Sequence, residues 1–77
     1  MKTVLVIDDD PKLAALLAEY LGGRGFRVEI AQDGQTGLKH STGVDCIVLD
    51  VMMPGLSGFD VLREIRKTNS VPVIMLT

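Results

Sequence analysis

Seventy-seven residues allow one small domain, and a chain of that size buries only roughly 60 to 65% of the surface its unfolded form exposes, so its stability margin is thin. Apolar residues make up 47%, with no Trp, one Tyr and two Phe, which excludes a disordered tail and predicts an aliphatic core. The single cysteine, Cys46, excludes an internal disulfide, and eight Lys and Arg against ten Asp and Glu, a net charge of -2, offer no basic footprint for nucleic acid.

Val4-Leu5-Val6-Ile7 is an apolar run without alternation, which is how a strand buried on both faces of a parallel sheet reads. It is too short for a signal peptide or a membrane helix, so a soluble, cytoplasmic protein with no membrane partner is expected. Asp8-Asp9-Asp10-Pro11 ends the run. Asp10 is a good N-cap and Pro11 a good first helical residue, because proline lacks the N–H that would go unpaired there.

Leu13, Leu16, Leu17, Tyr20 and Leu21 then follow helical spacing, and Gly22-Gly23 supplies a stop. With Ala14 and Ala18 the apolar arc spans about 200°, well beyond the ~100° that packing on one surface needs. This helix expects two neighbours, a sheet and another helix. Phe26 to Ile30 alternates strictly, as an edge strand would. Asp33-Gly34 opens a weak helical segment, Gln35 to Ser41, anchored by Leu38.

Cys46-Ile47-Val48-Leu49 repeats the buried-strand pattern and also runs into an aspartate, Asp50. A loop punctuated by Pro54, Gly55 and Gly58 follows. Phe59, Val61, Leu62 and Ile65 mark an amphipathic helix with basic residues in its last turn, and Pro72 to Leu76 is a third buried run, ending at Thr77. The order β-α-β-α-β-α-β predicts an α/β fold: a parallel sheet, right-handed crossovers and helices on both faces.

In open parallel sheets, ligands bind beyond the carboxyl ends of the strands, where the strand order reverses. With the first and third strands adjacent, as in the flavodoxin-like order 2-1-3-4, Asp8, Asp9 and Asp50 converge there. Like charges that close repel unless a proton or a cation intervenes. An all-oxygen, solvent-accessible cluster suits Mg²⁺. Thr77 would add a hydroxyl to the same rim. Other polar residues have plainer roles: Asp10, Asp33 and Asp60 as helix caps or dipole partners, Cys46 as a small core residue, His40 on the surface, and the Met52 and Met53 side chains in packing.

Val-Leu-Val-Ile-Asp8-Asp9-Asp10-Pro11, together with Ile-Val-Leu-Asp50-Val-Met52-Met53-Pro54-Gly55-Leu-Ser-Gly58, closely resembles the receiver domain of bacterial two-component response regulators, and the resemblance extends over residues 1–77. It implies that Asp50 is the phosphoacceptor for a sensor histidine kinase. It further implies Asp9 and Asp50 as direct Mg²⁺ ligands, Asp8 acting through water, and Met52 contributing its backbone carbonyl. Thr77 matches the hydroxyl that binds the phosphoryl oxygens. Such a domain is a regulatory phosphoacceptor rather than a conventional enzyme.

A complete receiver continues past Thr77 with a fourth helix, a fifth strand carrying a lysine, and a fifth helix. The chain is therefore expected to be a partial receiver, lacking the fifth strand and the last two helices. The motif style resembles regulators with a DNA-binding output domain, so DNA is a partner only through residues outside this chain. The alternative is a structural fragment that self-associates through an exposed fourth strand and the first helix and has lost phosphotransfer.

Overall fold

The computed structural model describes residues 1–76, so the reading of Thr77 lies outside the described residues. Four strands, β1 (Thr3–Ile7), β2 (Arg27–Ala31), β3 (Cys46–Asp50) and β4 (Val73–Leu76), alternate with three helices, α1 (Pro11–Gly23), α2 (Gly34–His40) and α3 (Gly58–Arg66). The sheet is parallel throughout, in the order β2-β1-β3-β4. The expected flavodoxin-like arrangement is therefore present, with β1 and β3 adjacent.

The unalternating runs do what their composition dictates. On one face of the sheet Leu5, Ile7, Ile47 and Leu49 pack with Val61 and Ile65 of α3 and, at the margin, Leu38 of α2. On the other face Val4, Val6 and Val48 pack against Ala14, Leu17 and Leu21 of α1. With Leu5, Val6, Ile7, Ile47 and Leu49 fully buried, each contributes about 1.5–3 kcal/mol from removal of its side chain from water. Two central strands thus supply most of the core of a very small domain.

Several expectations shift on inspection. Gly22-Gly23 does not stop α1, which includes both glycines. The terminator is Gly25, with φ +94°, whose N–H bonds the Gly22 carbonyl while the Phe26 N–H reaches back to Leu21. That paired pattern is a Schellman turn, and only glycine enters it without steric cost. The amphipathic face of α3 is Gly58, Val61, Leu62 and Ile65, with Phe59 turned to solvent at 57% exposure. The alternating strand begins one residue later than expected, and its best-buried residue is Ala31 rather than Val28 or Ile30.

The wide apolar arc of α1 is used only in part. Ala14, Leu17 and Leu21 meet the sheet, whereas Leu13, Leu16 and Tyr20 remain exposed, and no described element covers them. Ile74 of β4, read as buried, is likewise exposed at the sheet edge. Among the described residues no helix is long and apolar enough to cross a membrane.

Candidate functional site: a carboxylate cluster at the strand ends

Because β1 and β3 are parallel neighbours in register, Ile7 lying beside Leu49, the residues that follow them emerge at the same edge of the sheet. Asp8, Asp9 and Asp50 each offer a carboxylate oxygen within 4.8 Å of the others. The three sequence-predicted acidic residues are therefore brought together. They differ in access: Asp8 is buried at 2% exposure, Asp50 is half-buried and Asp9 is exposed.

Local hydrogen bonds hold two of the three. The Asp8 N–H continues the β1–β2 ladder to the Ala31 carbonyl, and its Oδ1 accepts the Asp10 N–H at 2.9 Å. Asp10 in turn caps α1, accepting from the N–H groups of Lys12 and Leu13. Asp50 Oδ1 accepts the Met52 N–H at 3.2 Å, which folds the first residues of the loop back over that carboxylate. Among the described residues Asp50 thus keeps one oxygen free of protein hydrogen bonds.

Asp8 Oδ2 is the exception to local satisfaction: it is buried and has no hydrogen-bond partner among the described residues. An orphaned buried carboxylate oxygen costs free energy unless a donor or cation meets it. Here it sits in a cluster of oxygen donors only, with an exposed carboxylate at the rim. That donor set fits a hard divalent ion such as Mg²⁺, which accepts one or two carboxylates and retains water.

The Met52 side chain does not pack as expected but is 78% exposed, whereas Met53 is buried. What places Met52 at the site is its backbone, through the N–H held by Asp50. Asp33 and Asp60 are helix caps as expected. The Thr36 N–H bonded to Asp33 and the Ser57 N–H bonded to Asp60 hold both carboxyls below their ordinary value of 3.8. Ser57, not singled out in the sequence, is the N-cap of α3 in a reciprocal capping box with Asp60. The Ser-x-x-Asp spacing was the available signal. His40 is exposed, and Cys46 is a half-buried member of the α1-side cluster.

A surface hollow of about 450 Å³ lies elsewhere, along α1 between Leu16, Glu19, Tyr20, Gly23 and Arg24. It holds none of the three carboxylates. The carboxylate cluster is the better candidate site because, among the described residues, it alone combines burial, convergent charge and an orphaned ligand atom.

Residues 4–77 match the response regulator receiver domain family. The chain belongs to that family. It is 47% identical over its whole length to the transcriptional regulatory protein CpxR of Klebsiella pneumoniae, of which it spans 34%. Among solved structures it is similar to the Thermotoga maritima response regulator TrrA in complex with Mg²⁺-BeF, with a TM-score of 0.94 and 41% identity. The match covers 100% of this chain and 70% of TrrA. A second TrrA structure, in complex with the histidine kinase ThkA, matches with a TM-score of 0.91, the same identity and 69% of TrrA covered. The receiver therefore spans about a third of the length of the curated transcriptional regulator it matches.

Proposed function

We propose that this receiver accepts a phosphoryl group on Asp50 from the phosphohistidine of a sensor histidine kinase, in a Mg²⁺-dependent reaction. The observation that carries the reading is that Asp8, whose buried Oδ2 has no partner among the described residues, clusters with the Asp9 and Asp50 carboxylates at the ends of adjacent strands. TrrA, of which the match covers 70%, has been captured with Mg²⁺-BeF and with a histidine kinase, which supports the same chemistry here.

In the proposed step an Asp50 carboxylate oxygen attacks phosphorus and forms an O–P bond as the N–P bond of phosphohistidine breaks. The imidazole nitrogen keeps the electron pair. A carboxylate is a weak nucleophile toward an anionic phosphoryl group, so alignment and charge neutralisation must supply most of the rate. Asp9, Asp50 and the Met52 carbonyl would hold Mg²⁺ directly, with Asp8 acting through water. When bound, the ion neutralises the equatorial phosphoryl oxygens. The Met52 N–H keeps one Asp50 oxygen oriented, leaving the other for attack. Thr77 is assigned the hydroxyl that meets the phosphoryl oxygens. The phosphorylated domain would control a cytoplasmic output domain that binds DNA, as the similarity to transcriptional regulators suggests.

Incubation with Mg²⁺ and a small acyl-phosphate donor, followed by intact mass, tests this. The expected result is a gain of one phosphoryl group that disappears in Asp50→Ala or when Mg²⁺ is chelated. No gain in a folded native chain would defeat the reading.

A second reading, a fragment that pairs with another copy and lacks phosphotransfer, is favoured by the exposed Leu13, Leu16, Tyr20 and Ile74 and by the edge position of β4. Sedimentation separates the two: a folded monomer at low concentration would sink the pairing.

A further inference from the structure

Gly58 opens α3 directly against the peptide of the proposed phosphoacceptor. Its N–H bonds the Val51 carbonyl at 3.0 Å. A Cβ built there would collide with the Asp50 carbonyl oxygen and stand 2.7 Å from Val51 Cα and 2.9 Å from the Asp50 carbonyl carbon. All three atoms are backbone, so no flexible side chain can yield. The φ of Gly58 is not positive, so the requirement is for space and not for a left-handed backbone.

The surroundings decide which side gives way. Helix α3 is fixed by Val61 and Ile65, buried at 0% and 1% exposure, and by the Ser57–Asp60 capping box. The Asp50–Val51 peptide is held on its other side by the Val51 N–H to the Leu76 carbonyl at 2.9 Å, and beyond it the chain leaves the sheet. A methyl group at 58 therefore presses on the last residue of β3 and on the turn in which Met52 holds the Asp50 carboxylate. We propose that Gly58 is a positioning residue, whose missing side chain lets α3 seat the acceptor peptide and thereby aims the Asp50 carboxylate. This assignment rests on the phosphoacceptor reading above.

The test compares native chain, Gly58→Ala and Asn69→Ala, the last removing hydrogen bonds at the opposite end of the sheet. Each is titrated with Mg²⁺ by amide chemical shifts, and its phosphorylation rate constant is measured at saturating Mg²⁺ and acyl phosphate. Gly58→Ala is expected to stay folded and shift the Asp50 and Met52 amides. Its saturated rate should fall by about a hundredfold, the scale for a reacting group misplaced by an ångström. Asn69→Ala, though less stable, should keep the native saturated rate. A native rate in Gly58→Ala, an equal loss in Asn69→Ala, or a Gly58→Ala chain that does not fold would each overturn the assignment. A native chain that neither binds Mg²⁺ nor gains mass would instead remove the underlying reading, and the assignment with it.

Discussion

At the amino ends of the strands Asp45 accepts the Thr3 N–H at 2.7 Å, Asn69 bridges the Ser41 carbonyl and the Val71 N–H, and Arg66 donates to the Asn69 and Val71 carbonyls. At the carboxyl ends three carboxylates crowd together and Asp8 Oδ2 finds no partner among the described residues. One end satisfies its polar groups and closes the loops. The other stays unsatisfied, and that unmet demand is what a cation can answer. The contrast separates residues that stabilise the domain from residues that tax it for the sake of a site.

Replacing charge at the carboxyl end tests this most sharply. Asp8→Asn should weaken Mg²⁺ binding about 10- to 100-fold, the range for losing an outer partner of a metal site, as read from amide shifts. The same substitution should raise stability without Mg²⁺ by about 1 kcal/mol, because it relieves like-charge repulsion and an unpaired buried oxygen. A lower urea midpoint in Asp8→Asn would mean that the cluster supports the fold. Asn69→Ala breaks the other end: it leaves the Val71 N–H and Ser41 carbonyl short of a partner, and should cost about 1–3 kcal/mol in urea unfolding with Mg²⁺ affinity unchanged.

A smaller effect concerns acid. Asp60 and Asp33 are held below 3.8 in the folded chain, so each contributes stability that is complete above the unfolded carboxylate range and is lost as pH falls through the folded value. The window lies below about pH 4. Asp60→Asn should therefore flatten the acid limb of a urea-midpoint profile against pH while the neutral limb shows only the weakened cap. An unchanged acid slope would place the acid sensitivity elsewhere.

The two unalternating aliphatic runs that end in aspartate were legible from local composition, whereas their adjacency, and with it the carboxylate cluster, followed only from the flavodoxin-like strand order. What was not legible depended on neighbours. Three glycines crowd the end of α1, and only the backbone shows that Gly25 makes the turn. Phe59 has the spacing of a core residue, yet α3 buries Gly58, Val61 and Ile65 and leaves Phe59 57% exposed. The orphaned oxygen of Asp8 follows from which loop amide reaches its other oxygen, a matter no spacing rule encodes.

The boundaries of α1 have a kinetic consequence. Asp10 starts the helix and the Gly25 turn ends it, both through bonds spanning a few residues, and the chain then enters β2 directly beside β1. Joining β1 to β2 closes a loop of two dozen residues, Thr3 to Arg27, whereas the Asp45 bond that brings β3 to β1 spans 42. Loop-closure entropy and local contacts therefore favour β1-α1-β2 as the part assembled in the folding transition state. Truncations in α1, such as Leu17→Ala, should chiefly slow folding, while Ile65→Ala in α3 should chiefly speed unfolding. The strand that carries the proposed acceptor is then docked onto a scaffold that already presents Asp8 and Asp9.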